Sequence, residues 1–112
     1  MDNTQSFKYF ELLWAKIEER ALSSAPGDSY VAFLLSKGVK ECSKKLGEEA
    51  IETALAAISK DKTETIKESS DLLFHLFVLW KSLNIVPEEI MEELKNRETM
   101  SGYEEKASRK NW

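Results

Sequence analysis

The sequence predicts an all-α fold, a helical bundle of four main helices, and three observations carry that reading. Only four glycines and two prolines punctuate the 112 residues, so the chain has few places to turn. No run of alternating β-branched residues reads as a strand. Apolar residues recur three and four apart instead, as in Phe7, Phe10, Leu13, Trp14 and Ile17, which is the spacing of one helical face. The length fits one domain, residues 1–112, around a single core.

Each element can be justified in order. The Phe7 to Ile17 stripe places helix one from about Thr4 to Leu22. Ser23-Ser24-Ala25-Pro26-Gly27-Asp28 is the clearest loop signal, and Asp28 or Ser29 can then cap a long helix two reaching about Ser59. Its stripe is Leu35, Val39, Cys42, Leu46 and Leu55, with Gly38 and Gly47 as weak points that allow close packing or a kink. Asp61-Lys62-Thr63-Glu64 resembles a capping box and opens helix three, which ends near Asn84. Pro87 suits the first turn of helix four, with Glu88 and Glu89 near its positive end. From about Thr99 the chain is polar and carries no clear element.

Bulk properties exclude several classes. A hydrophobic content of 42% with 32% charged residues is ordinary for a globular domain and unlike a disordered chain. A formal charge of −4 argues against a nucleic-acid partner. The lone Cys42 permits neither an intrachain disulfide nor a cysteine-based zinc cluster. The longest apolar run, Leu72 to Trp80, is interrupted by His75 and falls far short of the ~20 residues that span a bilayer. Met1 to Gln5 lacks the basic and apolar regions of a signal peptide, so a cytoplasmic location with no membrane partner is expected.

The chemistry lies in five carboxylates. Glu48-Glu49-Ala50-Ile51-Glu52 reads EExxE, and Glu68-Ser69-Ser70-Asp71 reads ExxD ahead of the apolar run. Residues three apart share a helical face, so Glu49 with Glu52 and Glu68 with Asp71 are side-by-side acidic pairs. A solvated acidic face is the plain reading of one such pair. Here Glu48 and Glu52 repel at i,i+4, and only Lys44, Lys45 and Lys67 lie near enough to compensate. Charge at the mouth of a core helix is costly unless met by something positive. If the two helices pack antiparallel, four carboxylates converge. Such a set, without paired His or Cys, favours Mg²⁺ or Mn²⁺ over zinc or copper. The chemistry that follows is phosphoanhydride cleavage. No phosphate-binding glycine-rich loop is present, so metal and lysines must hold the phosphates.

EExxE followed by ExxD resembles the MazG-type all-α nucleotide pyrophosphohydrolases. Ser29-Tyr30-Val31-Ala32, Lys37-Gly38, Lys44 to Ala50 and Asp71 to Leu76 look, more specifically, like the phosphoribosyl-ATP pyrophosphohydrolase family of histidine biosynthesis. The tail Ser101 to Arg109 is also similar to endings in that family, so the resemblance spans most of the chain. It implies Mg²⁺-dependent hydrolysis of phosphoribosyl-ATP to phosphoribosyl-AMP and pyrophosphate. It further implies Glu49, Glu52, Glu68 and Asp71 as metal ligands, Glu48 as a water-orienting base behind them, and a homodimer that completes the bundle. Ser69-Ser70 stand where the family often has alanine, and Phe74 where it often has tyrosine; the acidic positions are intact.

Other residues carry two readings each. His75, one turn beyond Asp71, is either a hydrogen-bonded core histidine or a contact to the carboxylates or substrate. Ser29 and Tyr30 either hold an anion at a helix start or simply cap and pack. Lys37 and Lys45 either grip phosphates or, with Lys40 and Lys44, form a solvated face; Lys45, beside Glu48 and Glu49, is the strongest of them. Arg109 and Lys110 could reach the substrate from the tail. Two other functions fit the pattern: a house-cleaning nucleoside triphosphate pyrophosphohydrolase of the same fold, and a non-catalytic helical dimerisation module whose acids stay solvated.

Overall fold

A computed structural model describes residues 3–98 of the chain. The expectations for Ser101 to Arg109, Arg109 and Lys110 lie outside those residues. The described chain is all-α: α1 (Asn3–Ser23), α2 (Tyr30–Lys37), α3 (Val39–Ile58), α4 (Lys62–Ser82) and α5 (Pro87–Arg97). Five helices therefore stand where four were expected, because the long helix two is cut at Gly38. That residue sits at φ 87° and ψ −179°, backbone that side chains with a Cβ rarely adopt. The cut ends α2 and starts α3 in a new direction with no linker. Gly47 stays inside α3 in open space, so close packing does not explain it.

The helix ends follow from local chemistry. Ser29 caps α2, its hydroxyl accepting from the Ala32 N–H at 3.2 Å. Asp61 caps α4 in the same way for the Glu64 N–H at 3.0 Å, while the Glu64 carboxylate pairs with Lys67. Pro87 opens α5, and the Glu89 carboxylate reaches back to accept from the Val86 N–H at 3.1 Å. α3 and α4 both end in Schellman turns. Lys60 (φ 59°) and Asn84 (φ 58°) take the left-handed position, and the Asp61 and Ile85 N–H groups return to the Ala56 and Trp80 carbonyls.

The core joins α1 to α4. Ile17, Leu34, Cys42 and Val78 are almost fully buried, with Val31 and Phe77 beside them and Trp14, Leu35, Phe74 and Trp80 packed around. Burying each such aliphatic side chain contributes about 1.5–3 kcal/mol. Cys42 is the small buried residue expected of it. Its thiol donates to the Leu34 carbonyl at 3.4 Å, and burial pushes its pKa up. The outer halves of two predicted stripes are exposed, namely Phe7 and Phe10 on α1 and Val39 and Leu55 on α3. α5 buries no residue, and an apolar groove of about 790 Å³ runs between it, α1 and α4, lined by Phe7, Phe10, Trp14, Leu76, Phe77, Met91 and Leu94 among others.

The two glycines should respond oppositely to alanine. Gly38→Ala is expected to cost about 1–3 kcal/mol, because the backbone must leave its glycine-only region. Gly47→Ala, in an exposed helix interior, should stabilise by roughly 0.5–1 kcal/mol. Urea unfolding of the two variants measures both signs.

Candidate metal centre

α3 and α4 form a helical hairpin closed by the turn at 59–61, and it is antiparallel: Glu52, nearer the turn, meets Glu68, while Glu49 meets both Glu68 and Asp71. The i,i+3 spacing on each helix turns both acidic pairs toward the seam between them. Oxygens of Glu49, Glu68 and Asp71 lie within 4.8 Å of one another. Glu52 joins through Glu68, whose carboxyl interacts with those of Glu49 and Glu52. These two neighbours push the Glu68 pKa from its ordinary 4.5 up to about 7, Glu49 being the larger cause and partial burial adding to them. Three of the four predicted carboxylates thus share one locus, and Glu52 lies beside Glu68 at its edge.

Burial is distributed differently from the sequence argument. Asp71 is exposed, so it carries little desolvation cost itself. The sequestered oxygens are Glu49 Oε2 and Glu68 Oε2, and neither has a hydrogen-bond partner. A buried carboxylate oxygen without a donor is costly. Two of them facing one locus fit a divalent cation, which supplies to both what no protein donor does.

Glu48 is turned aside from this cluster. Its carboxylate pairs with Lys45 Nζ at 3.8 Å, both groups being partly exposed, which fixes it at the edge of the site. His75 is buried, and its Nδ1 also lacks a partner. Desolvation lowers its pKa, while the nearby Glu49, Asp71 and Glu48 charges oppose that shift and Lys45 reinforces it. It is therefore a buried histidine close to the carboxylates, with Nδ1 unpartnered.

The remaining predicted residues divide. Ser29 is a cap, as described. Tyr30 is half-exposed and its ring meets His75 edge-on at 6.0 Å, so α2 reaches the site. Lys37 lies farther out, its ammonium 5.4 Å from the centre of the Phe33 ring. Sequence reasoning missed Phe33 and Phe74 as companions of this group. Tyr30 lies nearly parallel to both rings, at 6.4 and 6.0 Å. The i,i+3 spacing of Tyr30 and Phe33 was the available signal. On the opposite flank, a cleft of about 280 Å³ is lined by Glu52, Asp61, Glu64 and Glu68 with Leu55, Ala56 and Ser59. The site therefore has an acidic side toward the hairpin turn and an aromatic, lysine-bearing side toward α2. Among the described residues, no helix is long and apolar enough to cross a membrane.

Comparison with known proteins bears on this geometry. The family model described as phosphoribosyl-ATP pyrophosphohydrolase matches residues 11–98, which include every carboxylate above. The phosphoribosyl-ATP pyrophosphatase of Azorhizobium caulinodans is 50% identical over 93 residues, 83% of this chain and 84% of its own. Phosphoribosyl-ATP pyrophosphatase 1 of Bradyrhizobium diazoefficiens is 49% identical over 94 residues, covering 84% and 88%. The phosphoribosyl-ATP pyrophosphatase of Parvibaculum lavamentivorans is 44% identical over 108 residues, covering 96% and 94%. With a family match over most of its length and relatives this similar end to end, the chain belongs to the phosphoribosyl-ATP pyrophosphohydrolase family.

Proposed function

We propose that this chain hydrolyses phosphoribosyl-ATP to phosphoribosyl-AMP and pyrophosphate, the second step of histidine biosynthesis, with Mg²⁺ as cofactor and Mn²⁺ able to replace it. The observation that carries the reading is the pair of buried, partnerless oxygens on Glu49 and Glu68 beside Asp71, in a chain whose relatives bear that enzyme's name. Glu49, Glu52, Glu68 and Asp71 would hold the cation. When bound, it neutralises phosphate charge and polarises the phosphoanhydride.

The chain's own groups supply the rest. Glu48, set at the rim by Lys45, orients water and takes up its proton as the water adds to phosphorus and the phosphoanhydride bond breaks to release pyrophosphate. Lys45 and Lys37 lie on the α2 side and offset the charge of the polyphosphate. The Ser29 hydroxyl accepts from the Ala32 N–H and can still donate to a phosphate oxygen. His75, buried and edge-on to Tyr30, excludes water from the inner wall of the site.

The functional unit in this reading is a homodimer. Ile51, Leu55 and Ile58 of α3 and Ile66 of α4 are all exposed, as are Phe7, Phe10, Met91 and Leu94 beside the apolar groove. The radius of gyration is 16.2 Å, against about 13 Å for a compact domain of roughly 100 residues. A second copy covering these faces accounts for both features. Sedimentation equilibrium should return twice the chain mass; a monomer at micromolar concentration would contradict the dimer.

Glu49→Gln and Asp71→Asn should each lower kcat at least about 100-fold with helix content unchanged, since each removes charge needed in the transition state. Turnover by either at the wild-type rate would remove that residue from the ligand set. Phosphoribosyl-ATP should be preferred over a panel of nucleoside triphosphates in a pyrophosphate-release assay.

Proton and cation compete for one place. The folded-state pKa of Glu68 is raised, so the stability it contributes is fully present below about 4.5 and lost as pH rises through about 7. Glu68→Gln mimics the protonated form. Without metal, the variant should therefore melt at a higher temperature than wild type above pH 7, and the gap should close toward pH 5. Adding Mg²⁺ at pH 8 should raise the wild-type Tm more than that of Glu68→Gln. Parallel pH curves for the two proteins would refute the carboxyl cluster.

A further inference from the structure

The two flanks of the carboxylate site differ in what they can accept. Toward the hairpin turn, the cleft beside the site is lined by Glu52, Asp61 and Glu64. An anionic polyphosphate is repelled there, and the bulk of a nucleotide must lie elsewhere. Toward α2 lie two lysines, Lys45 at the rim in an ion pair with Glu48 and Lys37 farther out against the Phe33 ring. Between them runs a series of rings. His75 meets Phe74 edge-on at 5.1 Å and Tyr30 edge-on at 6.0 Å. Tyr30 lies within 18° of parallel to Phe74 and within 16° of parallel to Phe33. Phe33 is 40% exposed and Tyr30 49% exposed, so the outer part of the series is open to solvent.

Resting on the nucleotide-hydrolase reading above, we propose that Phe33 and Tyr30 form the platform on which the substrate's purine base stacks. A purine presents a flat π-face with no charge, which an exposed ring matches and a lysine or glutamate does not. The series starts at the carboxylates and ends two ring spacings away, so a base on Phe33 leaves its phosphates directed back toward Lys45 and the acidic cluster. Lys37 now rests against the Phe33 ring, and among the described residues its ammonium makes no ion pair. Arrival of the base displaces it toward the ribose and phosphate oxygens, exchanging a cation–π contact for a charge-assisted hydrogen bond. Phe33 is thus a specificity-determining residue for the base, separate from the groups that act on phosphorus.

The test is Phe33→Ala, with Phe33→Trp as the ring-restoring variant. Base stacking of this kind predicts a KM for phosphoribosyl-ATP raised about tenfold in Phe33→Ala, with kcat within about twofold of wild type. Phe33→Trp should return KM to the wild-type value or below, which loss of folding in a damaged helix would not do. Inhibition by AMP should weaken by the same factor in Phe33→Ala, while inhibition by pyrophosphate, which has no base, stays unchanged. An unchanged KM, or a fall in kcat at constant KM, overturns the platform and leaves the carboxylate reading standing. Absence of turnover in the wild-type protein would instead remove the hydrolase reading. Calorimetric AMP binding then decides the platform alone: weaker binding by Phe33→Ala supports it, and equal or absent binding by the two proteins overturns it.

Discussion

Repulsion among acidic groups, held in place by the packing of two helices, is the constraint around which this molecule is organised. Once ionised, the carboxylates themselves oppose their approach. They are brought together because α3 and α4 are antiparallel and fixed from behind by Cys42, Val78 and Phe77 of the common core. Each buried aliphatic group there contributes about 1.5–3 kcal/mol. The opposing strain appears as the raised proton affinity of Glu68 and as two buried oxygens with no donor. A fold that tolerates such an arrangement without its counter-charge is one whose stability is supplied elsewhere, and here it is supplied one layer inward.

Much of this was legible in the sequence because helical periodicity is a strong signal. The caps at Ser29 and Asp61, the entry at Pro87 and the loop around Pro26-Gly27 all lie where residue chemistry put them. The convergence of Glu49, Glu68 and Asp71, with Glu52 beside Glu68, followed from two i,i+3 pairs and one assumption, the antiparallel hairpin. Gly38 and Gly47 both read as points where helix two could kink, and only the backbone angle distinguishes Gly38, which ends a helix, from Gly47, which does not. Burial was misjudged at Asp71 for a related reason. An apolar run predicts that a helix is buried, but the residue at its edge can face either way.

The pattern also could not separate core from contact surface. Phe7, Phe10, Leu55 and Ile58 satisfy helical stripes as well as Ile17 does, yet they are exposed in the single chain. Periodicity reports which face is apolar and says nothing of what covers it. The aromatic group around Tyr30 escaped notice because its members come from two helices, α2 and α4, whose packing periodicity does not report.

That break has a consequence for how such an enzyme can diversify. Because one glycine ends α2 before α3 begins, residues facing the base sit on a short arm that reaches the acidic cage through packed side chains, such as Tyr30 against His75. Changes at positions such as Phe33 alter the arm without transmitting through a continuous helix to Glu49. Substrate preference and bond-breaking power can therefore be altered by separate substitutions.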